Sequence, residues 1–331
     1  MAYRYGLISL LMVLLIGFNL LIHRVAAQSP TPAEALPPFE VALMGDLPYD
    51  DEQSLPFQRL IEQVNQSEAA FVIHDGDFKS GSSLCSDDMF QDRKALFNQF
   101  RPAFVYIFGD NDWTDCHRAN NGAYDPLERL QVVRQLFAAG DKSLGQQPMT
   151  LERQSNDPQY ARFPENVRWQ HHGILFVGLH IVGSNNNLGR TLANDAEYTT
   201  RNAANWAWLR DAFDFAKDNN LKGIMLVIQA NPGFEKPPSD RTGFNDFISA
   251  LETELTDYPN PVVLVHGDTH YFRIDKPLPT WEANTPTPPR FLNFTRVETF
   301  GSPDVHWLKA TIDPSDPQVF WFEPQFVLPE E

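Results

Sequence analysis

Basic residues are scarce in this chain: 26 lysines and arginines stand against 43 aspartates and glutamates, a formal net charge of −17 at pH 7. Proteins bind nucleic acids mainly by placing lysine and arginine on phosphates, so this balance disfavours a nucleic-acid partner. It disfavours anionic membrane surfaces as well. A small phosphorylated substrate would need a local positive site to overcome this field, and a bound metal ion is the obvious supplier.

Long hydrophobic runs are also rare, and the one that matters spans residues 6–22. Arg4 precedes it and Val25-Ala26-Ala27 follows it, a pattern typical of a signal peptide with a small-residue cleavage site. The sequence therefore predicts a signal peptide over residues 1–27 and export to the periplasm or the extracellular space. The alternative is an uncleaved N-terminal anchor facing outward, because the run is close to the roughly 20 residues that span a bilayer.

Cysteine is limited to Cys85 and Cys116. In an exported protein a single pair favours a disulfide bond, and two free buried thiols are the alternative.

The rest of the chain alternates short apolar runs with amphipathic helical patterns. Residues 28–38 are a proline-rich linker, and residues 39–331 contain no internal repeat or long linker, which indicates a single domain. Strands are expected at 39–44, 69–74, 103–108, 174–182, 224–228 and 262–266, with helical patterns between most of them, so the sheet is expected to be parallel. Three later segments, 291–299, 306–312 and 319–327, lack intervening helices and predict an antiparallel sheet. The simplest assembly is an α/β fold with two sheets packed face to face and helices outside.

Several of these apolar runs end in an aspartate that follows glycine. Asp46, Asp77, Asp110 and Asp268 each follow a predicted strand. Gly-Asp after one strand is ordinary turn chemistry. Four such aspartates in one chain are more informative, because carboxyl ends of parallel strands meet in one crevice. Converging carboxylates predict a site for divalent cations.

The order of these motifs resembles the calcineurin-like metallophosphoesterases, which include the purple acid phosphatases. That family carries five blocks: Asp-x-His, Gly-Asp, Gly-Asn-His-Asp/Glu, a histidine after a strand, and Gly-His-x-His. The resemblance covers residues 40–272 and implies a four-layer αββα sandwich of two mixed sheets flanked by helices. It also implies a dinuclear metal site that hydrolyses phosphate mono- or diesters with a metal-activated water. In such a fold Cys85 and Cys116 would lie in neighbouring loops of the site.

Carried over position by position, the resemblance gives a set of metal ligands. These are Asp46, Asp77, Asp110, Asp268 and His270, with Gln229 and Asn231 as weaker candidates. Asp77 would bridge two metals. Pro48 stands where the family has a histidine, and Asn111 falls on the catalytic histidine.

The departures change the expected chemistry. Four aspartates would roughly neutralise two divalent metals, and oxygen ligands favour Mg²⁺, Mn²⁺ or Ca²⁺ over zinc or iron. We expect one or two such ions. Because Asn111 cannot protonate a leaving group, His117 becomes the candidate acid, and Arg118 the candidate phosphate clamp. A histidine and an arginine at these positions would also be typical of a surface loop without a catalytic role. The polar turn at residues 184–187 could line the crevice or serve only as a turn.

Two other functions remain open from the sequence. A catalytically degenerate protein of the same fold could bind a metal or a partner, because several family histidines are absent. A structural protein with acidic turns is the third reading, and fold analogy does not separate the three.

Overall fold

Apolar runs of four to six residues form the central strands of two sheets. The computed structural model describes residues 36–279 and 290–328, so the predicted signal peptide lies outside the described residues. The strands are β1 (Phe39–Met44), β2 (Ala69–His74), β3 (Ala103–Tyr106), β4 (Glu152–Arg153), β5 (Val167–His171), β6 (Ile174–Gly178), β7 (Gly223–Val227), β8 (Val262–His266), β9 (Arg273–Asp275), β10 (Phe294–Glu298), β11 (Trp307–Ile312) and β12 (Phe320–Gln325).

The helices start at recognisable caps. The side chains of Ser86, Asp125 and Thr191 each accept a hydrogen bond from a backbone N–H in the first turn of the helix that follows. The helices are α1 (Ser54–Gln66), α2 (Asp87–Phe97), α3 (Pro126–Phe137), the single turn α4 (Gly183–Asn186), α5 (Leu192–Asp218) and α6 (Asn245–Asp257). None in the described part of the chain is long and apolar enough to cross a membrane.

The strands form one five-stranded and one seven-stranded sheet. The first has the order β12-β11-β1-β2-β3, and the second has the order β4-β5-β6-β7-β8-β10-β9. β1, β2 and β3 run parallel, as do β6, β7, β8 and β10. The carboxyl ends of these parallel strands carry the candidate site.

Side chains that alternate along each strand build the layers. In β1, Val41 and Leu43 enter a core that also contains Met225 and Val265 of the second sheet. Ala42 and Met44 point the other way, into a core shared with α1, α2 and α3. A third core joins the far face of the second sheet to α5 and α6. The predicted four-layer arrangement, with helices outside two mixed sheets, is therefore confirmed.

The expectation of one closing antiparallel sheet is wrong. β11 and β12 pair antiparallel in the first sheet, whereas β10 lies in the second sheet, parallel to β8. The chain reaches β10 through β9 and through residues outside the described range. The absence of a predicted helix between two segments therefore did not show that they pair in one sheet. The sequence analysis also did not identify α3, β4, β5 or β9.

Candidate metal centre

The four predicted aspartates lie together where strands of both sheets end. Asp46, Asp77 and Asp110 follow β1, β2 and β3, and Asp268 follows β8 in the other sheet. The backbone N–H of Asp268 donates to Asp46 Oδ2 at 3.0 Å, so this contact joins the two sheets directly. Asp46, Asp77 and Asp268 have φ values of 52°, 58° and 78°, which aspartate tolerates better than most residues.

Two glycines are required because the carboxylates approach the backbone. A Cβ atom on Gly183 would lie 2.7 Å from Asp110 Oδ1 and 2.8 Å from Asp268 Oδ1. A Cβ atom on Gly267 would lie 2.0 Å from Asp46 Oδ2. Any larger residue at either position would displace a site carboxylate.

Tyr49 closes one side of the site, a role that the sequence analysis missed. Its hydroxyl lies 3.0 Å from Asp46 Oδ1 and 3.1 Å from His270 Nε2, and it accepts a hydrogen bond from Asn111 Nδ2 at 3.2 Å. The other ring nitrogen, His270 Nδ1, lies 2.6 Å from the Ser302 carbonyl oxygen. The polar groups on this side thus hydrogen-bond to one another without a cation.

Asp77 occupies the centre of the site. Its Oδ1 accepts from the backbone N–H of Asn111 at 2.9 Å, and its Oδ2 accepts from Gln229 Nε2 at 3.1 Å. The Gln229 oxygen accepts from the Gly183 N–H at 2.6 Å. Gln229, a weaker ligand candidate, therefore holds Asp77 and Gly183 together by hydrogen bonds.

The other side of the site has unused oxygen atoms. Asp110 Oδ2 accepts from Ser184 Oγ at 2.7 Å, and Asp268 Oδ2 accepts from the Asn231 N–H at 2.9 Å. Asn231 therefore contacts the ligand candidate Asp268 through its backbone. The second oxygen of each carboxylate, Oδ1, has no hydrogen-bond partner among the described residues. Both Oδ1 atoms face the space beside Gly183.

Burial and mutual repulsion make these carboxylates hard to ionise. Burial, followed by repulsion from Asp110, raises the pKa of both Asp77 and Asp268 well above the ordinary range. Burial and repulsion from Asp115 raise the pKa of Asp110 to about 6. Ionising the whole cluster is therefore unfavourable unless a cation balances the charge.

Asp112, which also escaped the sequence analysis, positions the loops that carry these residues. It accepts from the backbone N–H groups of Asp77, Phe78 and Gly109 at 3.1, 3.0 and 2.8 Å, and from the Tyr106 hydroxyl. One carboxylate thus joins the loops after β2 and β3. The only sequence signal for it was its place in Gly-Asp-Asn-Asp.

Behind this loop lie a buried cation and the disulfide. Lys79 Nζ donates to the backbone oxygens of Ser80 and Asn111 at 2.8 and 2.7 Å and to Asn121 Oδ1 at 2.9 Å. The predicted disulfide between Cys85 and Cys116 is confirmed, with a Cα–Cα distance of 5.7 Å. Lys79 and the disulfide therefore hold the backbone of Asn111 in place.

The two remaining candidates occupy the exposed rim. Arg118 makes an ion pair with Asp115 at 2.8 Å, and a Cβ atom on Gly81 would lie 2.9 Å from both Arg118 Nη1 and Asn111 Oδ1. The guanidinium therefore borders Asn111. His117 Nδ1 lies 2.9 Å from the Thr114 carbonyl oxygen. Within the described chain it has no hydrogen bond to the four aspartates.

The donor set can be tested against a metal. The described residues contain no group of three or more His, Cys, Asp or Glu side chains already arranged to hold an ion. The chemistry nevertheless fits a hard cation beside Gly183, because Asp110 and Asp268 direct unpartnered oxygens there. A second ion near Asp46 would have to displace the hydrogen bonds of Tyr49.

No protein-family model and no curated protein matches the sequence. Solved structures do match. A dimetal phosphatase from Danio rerio is 10% identical over 89% of this chain and 98% of that one, with a TM-score of 0.52.

Two further solved structures are less similar in shape. GAP50, the anchor in the inner membrane complex of Plasmodium, is 13% identical over 90% of this chain and 91% of its own, with a TM-score of 0.48. A purple acid phosphatase, PPD1 from yellow lupin seeds, is 12% identical over 89% of this chain and 55% of its own, with a TM-score of 0.47. At such identities the phosphatase from Danio rerio shows the fold alone, and the fold predicted from the motifs is confirmed.

Proposed function

We propose, on the basis of the metallophosphoesterase fold and the buried carboxylates at its strand ends, that this chain is a metal-dependent phosphoesterase. The observation that carries the proposal is that Oδ1 of Asp110 and Oδ1 of Asp268 face the space beside Gly183 and lack a hydrogen-bond partner among the described residues. Asp77 is the neighbouring buried carboxylate, and Gln229 links it to Gly183. The three aspartates would hold the first divalent cation, and their oxygen donors favour Mg²⁺, Mn²⁺ or Ca²⁺. When bound, such an ion polarises a phosphoryl oxygen and lowers the pKa of a bound water.

The residues of the rim would bind and orient the phosphate. The guanidinium group of Arg118 can donate to two phosphoryl oxygens at once, and it borders the side chain of Asn111. Tyr49 accepts from the side-chain amide of Asn111 and Lys79 donates to its backbone oxygen, and these two hydrogen bonds hold Asn111 in place. His117 remains our candidate for protonating the leaving oxygen, and the Thr114 carbonyl would orient its ring.

The test is hydrolysis of aryl phosphate mono- and diesters by metal-stripped protein. Activity should return with Mg²⁺, Mn²⁺ or Ca²⁺ and be lost in Asp77→Asn. The matched control is Asp92→Asn, an exposed aspartate on α2 that should leave hydrolysis unchanged. Activity that survives both chelation and Asp77→Asn would exclude the proposed mechanism.

A second candidate function is supported by the network around Tyr49. Asp46, His270 and Asn111 hydrogen-bond to one hydroxyl, which suits a site that no longer holds two metals. In this case the protein would bind a metal or a partner without catalysis. The discriminating result is a rise in melting temperature with Ca²⁺ or Mn²⁺, lost in Asp77→Asn, in protein that hydrolyses no ester with any metal.

We further infer that the chain acts after export, in the periplasm or outside the cell, as a single catalytic domain. The apolar run at residues 6–22 and the disulfide between Cys85 and Cys116 support this inference. Mass spectrometry of secreted protein beginning at Gln28 would support cleavage. An intact N-terminus recovered in membranes would favour the anchored alternative.

A further inference from the structure

A polar cavity of about 360 Å³ opens directly beside the carboxylate cluster. Asp268 and Asn231 line it together with Ser184, Asn185, Lys236 and Thr242. We propose that this cavity receives the organic part of a small hydroxylated phosphate ester, such as a sugar or polyol phosphate, whose phosphate lies at the metal centre. The inference rests on the proposed function and names its substrate class.

The wall of the cavity is built around a strained backbone. Ser184 and Asn185 have φ values of 51° and 53°, and Asn186 and Asn187 continue the left-handed turn with 56° and 66°. Residues other than glycine stay in this conformation only where their surroundings impose it, and such strain gathers at functional sites. The turn therefore has a shape that the rest of the fold enforces.

Buried Arg201 is one of the groups that hold this shape. Its guanidinium donates to Asn186 Oδ1 at 2.6 Å and to the Asn186 carbonyl oxygen at 3.1 Å, and it makes an ion pair with Glu197 at 2.6 Å. At one end of the turn, Ser184 Oγ donates to Asp110. The next residue of the turn, Asn185, donates from Nδ2 to Thr242 Oγ1 at 3.0 Å. One rigid turn thus joins the carboxylate cluster to the far wall of the cavity.

The lining selects for hydroxyl groups over aromatic rings. The lining is polar, with hydroxyls, amides and carboxylates from Ser184, Thr242, Asn185, Asn231, Asp240 and Asp268. The aromatic side chain in the lining, Phe244, is only 7% exposed and offers little surface for stacking. The volume lies near the lower end of the roughly 300–1,000 Å³ typical of small-molecule pockets, which favours a small substrate.

Lys236 supplies positive charge in a strongly acidic protein. No carboxylate of the described residues makes an ion pair with its ammonium group. Its methylene groups lie over Gly233, where a Cβ atom would be 3.0 Å from Lys236 Cδ. The ammonium group is therefore free to bind a substrate oxygen while its stem packs against the loop.

The test compares hydrolysis of glucose 6-phosphate and phenyl phosphate under the metal conditions that give activity. We expect wild-type protein to favour glucose 6-phosphate in kcat/KM, and Lys236→Met and Thr242→Val each to lower the ratio of the two kcat/KM values about tenfold. Lys222→Met, an exposed lysine on the chain segment before β7, is the matched control. Melting temperatures equal to wild type would show that the variants are folded.

The outcomes separate this inference from the proposed function. Hydrolysis of phenyl phosphate with no preference for the sugar phosphate, and with equal ratios in all variants, would overturn the inference and leave the function standing. If no ester is hydrolysed, glucose 6-phosphate is titrated calorimetrically into wild-type and Lys236→Met protein. Binding weakened about tenfold by the substitution would then support the cavity while the hydrolase proposal fails. If wild-type protein does not bind glucose 6-phosphate either, both the inference about the cavity and the hydrolase proposal fail.

Discussion

Replacing Asp110 by asparagine should stabilise the metal-free protein at alkaline pH. Burial and neighbouring carboxylates raise the pKa of Asp110 from 3.8 to about 6. Its ionisation therefore opposes folding, and each pKa unit corresponds to about 1.4 kcal/mol. An asparagine at this position carries no charge and still accepts the hydrogen bond from Ser184.

The sign and size follow from linkage between ionisation and folding. A carboxyl whose pKa is higher in the folded state destabilises that state as pH rises through the unfolded pKa, and the cost becomes constant above the folded pKa. For Asp110 the cost reaches about 3 kcal/mol at pH 8 and falls to about 1.5 kcal/mol at pH 5. Asp110→Asn should therefore raise the free energy of unfolding by about 3 kcal/mol at pH 8 and by about half as much at pH 5.

Urea unfolding in the presence of a chelator, at both pH values, measures the difference in the free energy of unfolding between the variant and wild type. Comparing the two proteins at each pH cancels the titration of groups that do not interact with Asp110, and the loss of its repulsion on Asp77 and Asp268 adds to the gain in stability. Asp92→Asn, which removes an exposed charge, controls for the general effect of net charge. A variant that is less stable than wild type at pH 8 would refute the reasoning, as would an equal gain from Asp92→Asn.

Three further predictions concern the neighbours of the site. Tyr49→Phe should raise the number of Mn²⁺ ions bound per chain from one to two in equilibrium dialysis; two ions in wild type would contradict it. Replacing Cys85 and Cys116 by serine should lower the free energy of unfolding by about 3–4 kcal/mol in urea, since the bond closes a long loop with a sequence separation of 31. Burial lowers the pKa values of His74 and His180 to about 4, so these groups stabilise the fold above pH 6.5 and that stability is lost as pH falls toward 4. In an NMR titration of the folded protein, the imidazole rings of His74 and His180 should therefore still be neutral at pH 5; protonated rings at that pH would contradict the prediction.

The positions of the aspartates could be predicted from the sequence because the signals are local. A short apolar run indicates a buried strand, and Gly-Asp indicates the carboxyl end of that strand. The parallel arrangement then brings Asp46, Asp77 and Asp110 to one edge. The same logic placed Asp268, although it lies on the other sheet.

The role of Tyr49 could not be predicted because its partners are distant in sequence. His270 is separated from it by 221 positions, and Asn111 by 62. The sequence interprets Pro48 and Asn111 only as departures from the metallophosphoesterase motifs; in the structure, Asn111 donates to the hydroxyl of Tyr49. Likewise, the turn at Ser184 was read as polar and undecided, because its left-handed geometry depends on Arg201, which lies on another element.

The differences between this site and the metallophosphoesterase motifs would together change the charge of the proposed metal centre. Where the hydroxyl of Tyr49 satisfies Asp46 and His270, a second cation has no vacant ligands to attract it. Asp77, Asp110 and Asp268 would then share a single divalent ion, and the centre would stay net negative and repel a phosphate ester. Arg118, bordering Asn111 at the rim, is the positive group placed to offset that charge. Catalysis in this chain would therefore depend on an arginine for the charge that a second metal provides in a dinuclear centre.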